Sequence, residues 1–196
     1  MIETFILSIT SFVGTNIDDI FINTLFFAEA KTKADNRNIV IGKYLGIGAL
    51  ILLSVLGAFG LQFLPQQYIG YLGLVPIGLG IKEIIVAIKS RKADKAEEAD
   101  GTVRKSANKV LNTALITMAN GADNIGVYVP LFSGFAVWQT VMTVFVFSIL
   151  IAAWCFLGKC LARLPVLNNI LTRYKTIIVP VVYIALGIYI LLKNFL

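Results

Sequence analysis

Six long apolar stretches run through this chain, and each is 16 to 26 residues long. A helix needs about 20 mostly apolar residues to cross the hydrocarbon core of a bilayer. Apolar residues make up 58% of the 196 residues and charged ones only 14%, so lipid must cover much of the exterior. We therefore predict an all-α integral membrane protein with six transmembrane helices. The segments are Phe5 to Ala28, Ile39 to Leu64, Tyr68 to Ile88, Val110 to Phe132, Val137 to Leu161 and Ile177 to Leu192.

The connections between these segments alternate in charge. Lys and Arg gather in the first, third and fifth connections, whereas residues 65–67 and residues 133–136 carry no charge. The odd-numbered connections of a six-span protein share one face, and the positive-inside rule makes that face cytoplasmic. Both termini are then expected outside the cytoplasm. The net charge of +6 is thereby assigned to topology and to anionic lipid headgroups, so the lipid bilayer is the expected partner and nucleic acid is not.

Two short sequence matches relate the first half of the chain to the second. Residues 18–20 (Asp-Asp-Ile) resemble residues 123–125 (Asp-Asn-Ile) at an offset of 105, and residues 79–81 (Leu-Gly-Ile) recur at residues 186–188 at an offset of 107. Two matches at nearly one offset indicate an internal repeat. Because each half holds three spans, the halves must cross the membrane in opposite directions, as two inverted three-helix repeats. We predict one transmembrane domain over residues 1–196, with repeat one at 1–89, a cytoplasmic linker at 90–108 and repeat two at 109–196.

Three aspartates in the middle of apolar segments are the main functional signal of the sequence. A charged side chain at the bilayer centre costs roughly 2.5–3.5 kcal/mol on insertion scales. No basic residue is expected at the same depth, because Lys43, near the start of the second span, is interpreted as a snorkelling anchor. Carboxylate and amide oxygens are hard donors that suit divalent cations, although interhelical hydrogen bonds are the structural alternative. The predicted metal ligands are Asp18, Asp19 and Asp123, assisted by Asn16, Asn120 and Asn124.

The local sequence around these acids predicts that both helices are interrupted. Adjacent residues on a regular helix point about 100° apart, so Asp18 and Asp19 cannot easily share one ion. Glycine and asparagine at residues 14–16 and 120–121 predict local unwinding, which frees backbone carbonyls as extra ligands. Neighbouring carboxylates in a low dielectric hold protons until a cation expels them. We therefore predict metal/proton antiport.

Several residue types narrow the function further. The chain has no histidine, which excludes His-based metal sites and Ser-His-Asp triads. No nucleophile-base pair is found, so neither enzymatic activity nor a resident cofactor is expected. Cys155 and Cys160 are interpreted as small buried residues, with a soft metal ligand as the alternative. Lys82 and Glu83 are assigned to pairing or snorkelling, with a gate as the alternative.

Both acidic motifs resemble those of a known transporter family. Residues 15–21 (Thr-Asn-Ile-Asp-Asp-Ile-Phe) and residues 120–130 (Asn-Gly-Ala-Asp-Asn-Ile-Gly-Val-Tyr-Val-Pro) look like the two signatures of the cadmium resistance transporter family (the CadD type), within the LysE-like superfamily of small bacterial exporters. The resemblance covers essentially the whole chain. It implies cadmium export across the bacterial plasma membrane, which confers resistance, with Asp18, Asp19 and Asp123 as the principal acidic ligands. Cadmium is soft and this cluster is all oxygen, so the order among cadmium, zinc and manganese stays open.

Other functions fit parts of the same pattern. An exporter of small organic cations or amino acids could use the acidic site, but an amino acid also wants a cation near its carboxylate. A passive cation channel could use a fixed ring of oxygens. A non-transporting membrane scaffold is the third alternative, which the buried aspartates disfavour. The oligomeric state is left open, with a homodimer as one option.

Overall fold

The computed structural model describes residues 1–17, 19–61, 71–72, 74–92, 108–163 and 180–192. Eight helices span most of these ranges, and no strand occurs within them. The predicted all-α class is therefore confirmed for this part of the chain. The linker predicted at residues 90–108 and the connection at residues 65–67 lie largely or wholly outside it. The helices are α1 (Ile2–Asn16), α2 (Asp19–Ala28), α3 (Lys33–Leu61), α4 (Leu74–Lys92), α5 (Lys109–Asn120), α6 (Ala122–Ser133), α7 (Val137–Leu161) and α8 (Pro180–Leu192).

Two of these helices, α3 and α7, are each long and apolar enough to cross a membrane. At about 1.5 Å per residue, the 29 residues of α3 exceed the roughly 30 Å of a hydrocarbon core. Helices α1 and α2 pass the same test when taken together, with a bend of 63° between them. The protein thus has two or three membrane-capable spans by length and composition. The six-span arrangement remains a prediction.

The first and fourth predicted spans are both interrupted at their polar motifs. Helix α1 ends at Asn16 and α2 begins at Asp19, while Gly121 separates α5 from α6. The Gly121 amide donates to the Thr117 carbonyl at 2.9 Å, and the Gly121 carbonyl accepts from the Asn124 amide at 3.1 Å. A Cβ at residue 121 would lie 2.5 Å from Leu50 Cδ1, so α3 passes closely here. Helices thus end and restart at both predicted positions, whereas the predicted freeing of backbone carbonyls stays a prediction.

Side-chain caps fix where α3 and α5 begin. The Thr32 hydroxyl accepts from the Asp35 amide and the Asp35 carboxylate accepts from the Thr32 amide, both at 3.0 Å, which is a capping box. The Asn108 side chain accepts from the amides of Val110 and Leu111. Asp35 also pairs with Lys109 at 2.7 Å, and this ion pair joins the start of α3 to the start of α5.

Small residues bring α3 close to α5 and α6. Gly42 and Gly46 lie one turn apart, and a Cβ on them would lie 2.6 Å from Thr113 Cβ and 2.7 Å from Thr117 Cβ, respectively. Such glycine pairs let helix backbones approach in membranes. The third predicted span, in α4, also contacts α6.

Helix α7 packs against α1 and α2 in the corresponding way. The hydroxyls of Ser8 and Thr143 share a hydrogen bond of 2.8 Å, and the rings of Phe12 and Phe147 lie 5.2 Å apart. Further along, a Cβ on Gly158 would lie 2.7 Å from Asn23 Cβ. Each broken span therefore packs against the long helix of the other half of the chain.

The polarity of the fold is inverted relative to that of a water-soluble protein. Hydroxyl and amide side chains are buried between the helices, while many large apolar side chains are exposed on the outside. This distribution is what a lipid environment requires, since apolar surface costs nothing there and polar groups must find partners inside. Buried polar residues include Ser8, Ser11, Thr15, Asn16, Asn23, Ser54, Thr113 and Thr143, and exposed apolar ones include Leu45, Leu52, Leu56, Val141, Phe145, Ile149 and Phe156.

Candidate cation site at the two helix breaks

Five of the six predicted metal ligands lie at the two helix breaks. Asp19 is in the first turn of α2 and Asp123 is in the first turn of α6, where the positive end of the helix dipole favours a carboxylate. Asn16 is the last residue of α1, Asn120 is the last residue of α5, and Asn124 follows Asp123. Asp18 lies outside the described residues.

Asp19 forms an ion pair with a lysine inside the protein. Lys43 Nζ of α3 lies 2.5 Å from Asp19 Oδ1, and the lysine side chain is 0% exposed. Its ammonium also lies 5.7 Å from the centre of the Phe26 ring. The interpretation of Lys43 as a snorkelling anchor is therefore wrong, as is the expectation that no basic residue lies at the depth of the acids. A buried carboxylate is far less costly when it is paired with a cation.

Asp123 is held by a neutral donor. The Tyr183 hydroxyl of α8 donates to Asp123 Oδ2 at 2.7 Å, and Asp123 is half-buried. A hydrogen bond to a carboxylate favours its charged form without cancelling the charge. The second break therefore differs from the first in the charge of the partner.

Asn16 is the hub of a hydrogen-bond network around the first break. Its Nδ2 donates to the Tyr128 hydroxyl at 2.8 Å and to the Phe12 carbonyl at 2.9 Å. Its own backbone carbonyl accepts from Trp154 Nε1 at 2.7 Å. Asn124 Nδ2 donates to Asn16 Oδ1 at 3.3 Å, which links the two breaks. These partners give Asn16 a structural role beside its predicted role as a ligand.

Several buried polar atoms in the described part of the chain have no hydrogen-bond partner. They are both amide atoms of Asn23, the Thr117 hydroxyl and Asn124 Oδ1. An unsatisfied buried polar group costs about 1–3 kcal/mol, so such groups mark places where a ligand belongs. Asn23 lies one helical turn beyond Asp19 and on the same face of α2. Thr117 packs against Gly46, one turn beyond Lys43.

A thiol accompanies the ion pair at the first break. Cys155 of α7 is buried. Gly158, which packs against Asn23, lies three residues after Cys155. Cys160 is exposed, so the expectation that both cysteines are buried is wrong for that residue.

The described residues do not assemble an acidic cluster by themselves. Among them, no three His, Cys, Asp or Glu side chains lie together in a group that could hold a metal ion. The structure joins Asn16 to Asn124, Asp19 to Lys43 and Asp123 to Tyr183. The ligand set predicted from the sequence therefore stays a prediction.

Sequence reasoning missed five residues that shape this site. They come from five helices, and the hydrogen-bond partners of four of them lie 24 to 138 residues away along the chain. The sequence held a signal for only two of them. Asn23 lies four residues after Asp19, and Lys43 lies inside a Gly-x-x-x-Gly motif that predicts a buried helix face. The missed residues are Asn23, Lys43, Tyr128, Trp154 and Tyr183.

No curated protein and no solved structure matches the chain. The family model described as cadmium resistance transporter matches residues 12–195, a range that includes both helix breaks, the ion pair between Lys43 and Asp19, and Cys155. The family resemblance predicted from the two acidic motifs is thereby confirmed over nearly the full length of the chain. The membrane-capable helices agree with a transporter family. The chain belongs to the cadmium resistance transporter family.

Proposed function

We propose that this protein is a secondary-active exporter of divalent metal cations, with cadmium as its main substrate. The observation that carries the proposal is the pair of acids in the first turns of α2 and α6, of which Asp19 is buried and Asp123 is half-buried. Charged groups at such depth are costly and are typical of ion pathways. The predicted ligands Asp18, Asn16, Asn120 and Asn124 complete the proposed site.

Helix dipoles support a cation site at this position. Two helix ends with negative dipoles, α1 and α5, face the starts of α2 and α6, which have positive dipoles. Broken helices of this kind bind ions in many transporters, because their ends present polar groups at the membrane midplane. The unpartnered Asn124 Oδ1 and Thr117 hydroxyl add oxygen donors of the type that divalent cations prefer.

Matched contacts between the halves support two inverted three-helix repeats. Ser8 and Thr143 contact each other where α1 meets α7. Thr113, at an offset of 105 from Ser8, packs against Gly42 where α5 meets α3. The long-helix partners, Gly42 and Thr143, are related by an offset of 101.

The next contact along the same helices repeats these offsets. Phe12 packs against Phe147, and Thr117 packs against Gly46. Two contacts with the same pair of offsets are what a repeat related by a two-fold axis produces. An odd number of spans per repeat then places the site between two halves of opposite orientation.

Proton counterflow supplies the energy in this proposal. The acids of the site must be neutralised after the cation leaves, and protons taken up from outside can do this. The proposed location is the bacterial plasma membrane, with six spans and with both termini outside the cytoplasm. The cation then moves outward while protons move inward.

Transport in proteoliposomes tests this proposal. We expect an imposed pH gradient to drive cadmium uphill through the wild type, and we expect Asp123→Asn to reduce the flux at least about 100-fold, since loss of a group that only supports a metal ligand already costs 10–100-fold. Asp35→Asn is the matched control, because this acid lies at the start of α3 and outside the site. Cadmium flux that ignores the pH gradient contradicts proton coupling, and purely downhill flux indicates a channel.

Competition among ions tests the substrate. We expect cadmium to be transported in preference to zinc and manganese, in line with the family and with Cys155 as a candidate soft donor. Equal transport of all three ions contradicts that order. Transport of small organic cations in place of metals supports the alternative function.

A further inference from the structure

We infer that Lys43 is a specificity-determining residue whose ammonium group acts as a tethered monovalent cation that excludes free monovalent ions from the site. This inference rests on the proposed function, since it assigns a role to the cation position beside Asp19. In the empty protein the ammonium fills that position, and a divalent cation must displace it.

The position of the ammonium carries this inference. Lys43 Nζ lies 2.5 Å from Asp19 Oδ1, and both side chains are buried. The amide of Asn23, one turn beyond Asp19, is buried and has no hydrogen-bond partner among the described residues. The Thr117 hydroxyl, opposite Gly46 and one turn from Lys43, is likewise unpartnered. Unpartnered polar groups thus lie about one helical turn from each member of the ion pair.

A structural ion pair alone does not explain this arrangement. Buried ion pairs add little stability compared with apolar side chains of similar size. Unsatisfied amide and hydroxyl groups beside the pair lower stability further. An ion pair with spare donors and acceptors around it is what a site needs if the cation is exchanged during its cycle.

Charge and tethering explain why the lysine discriminates between ions. A free sodium or potassium ion offers the carboxylate the same single charge as the ammonium does. The tethered ammonium has a high effective concentration, so it wins this competition. A divalent cation has twice the Coulomb attraction to the same carboxylate and can therefore displace it. The site rejects the abundant monovalent ions without a narrow pore.

Replacing the lysine by a neutral residue tests the inference. The full-length protein in detergent is titrated with cadmium at about 0.15 M chloride salt, as potassium or as bulky N-methyl-D-glucamine, which keeps ionic screening equal. For Lys43→Gln we expect potassium to weaken cadmium binding about tenfold. In the bulky salt we expect this variant to bind cadmium at least about tenfold more tightly than the wild type, because a nearby positive charge is gone.

The matched variants keep the charge at residue 43 or remove one elsewhere. Lys43→Arg preserves the positive charge, so its cadmium affinity should change less than about twofold between the two salts. Lys109→Gln removes a lysine that is half-exposed and pairs with Asp35, and it should behave like the wild type. Potassium should also raise the unfolding midpoint of Lys43→Gln by about 2–4 °C, since a bound ion stabilises the folded state.

Two results would overturn the inference. One is a folded Lys43→Gln protein whose cadmium binding and unfolding midpoint are the same in both salts. The other is a Lys43→Gln protein that unfolds in every salt while the double variant Asp19→Asn/Lys43→Gln folds, because Lys43 is then only a structural partner of Asp19. A wild type that binds no divalent cation contradicts the proposed function. The effect of potassium on the unfolding midpoint of Lys43→Gln is measured without cadmium, so it tests the inference independently.

Discussion

Both helix breaks place an acid in the first turn of the second helix, but the partners of the two acids differ. At the first break, Asp19 lies against the ammonium of Lys43. At the second break, Asp123 accepts a hydrogen bond from the neutral hydroxyl of Tyr183. The halves are thus alike in packing and unlike in charge. Similar packing at the two breaks therefore goes together with different partners for their acids.

The unequal partners assign different tasks to the two acids. The ion pair of the first break has no net charge, so it attracts a cation weakly until the ammonium is displaced. The hydrogen bond from Tyr183 does not itself cancel the charge of Asp123. Loss of the described partner should therefore affect the two acids differently.

The largest difference is expected in stability. Asp19→Asn leaves the buried ammonium of Lys43 without its carboxylate, which should cost about 3–5 kcal/mol in the free energy of unfolding. Asp123→Asn keeps an acceptor for Tyr183 and should cost less than about 1 kcal/mol. Chemical unfolding in detergent measures both values. Equal losses for the two variants would break the comparison between the two acids.

The next effect comes from the hydroxyl group at the second break. Tyr183→Phe removes a hydrogen bond to Asp123, which should cost about 1.5–3 kcal/mol of stability. Cadmium affinity should change along with it, since this hydroxyl orients the carboxylate. Tyr189→Phe is a matched control in the same helix, because its hydroxyl bonds to the exposed Glu3. Similar losses in the two variants would argue against a special role for Tyr183.

Glycine substitutions test whether the two breaks are packed alike. Gly46→Ala and Gly158→Ala each place a Cβ 2.7 Å from a neighbouring Cβ, and such overpacking should cost about 1–3 kcal/mol in the free energy of unfolding. Gly48→Ala meets nothing within 4 Å and should be neutral or stabilising. Thermal unfolding of the three variants measures this. A loss at only one of the two packed glycines would show that the two long helices are not packed equally tightly against the broken spans.

A smaller effect, on metal preference, is expected for the Cys155 thiol. Cys155→Ser replaces a soft donor by a hard one, so the preference for cadmium over manganese should fall about tenfold. Cys160→Ser should leave the preference unchanged, since that cysteine is exposed. Transport of the two ions in proteoliposomes gives the ratio. An unchanged ratio of cadmium to manganese transport for Cys155→Ser would show that the thiol does not bind the metal.

The smallest effect is expected at Asp35, outside both breaks. The ion pair with Lys109 and the hydrogen bonds of the capping box lower the pKa of Asp35 from 3.8 to about 2. A lowered carboxyl pKa adds stability above the unfolded value, and this stability is lost as the pH falls toward the folded value. Unfolding midpoints of Asp35→Asn and the wild type should therefore differ by a constant amount from pH 5 to pH 8. A difference between the two midpoints that varies across this range would contradict the lowered pKa of Asp35.

The sequence predicts the backbone of the site better than its contacts. Gly121 and Asn16 mark the two breaks because glycine and asparagine end helices locally, without help from distant residues. The direction of Lys43 depends on where α3 begins, and α3 starts six residues before the apolar segment that predicts it. The bonds of Tyr183 and Trp154 join residues 60 and 138 positions apart. Such contacts follow from tertiary packing, which no local pattern encodes.

The hydrogen bond between Asn124 and Asn16 has a mechanical consequence. It spans 3.3 Å between two chain interruptions that belong to opposite halves of the protein. A rocking motion that shifts one half must stretch this bridge or carry the other half along. A displacement of one interruption is therefore transmitted to the other through this single bond.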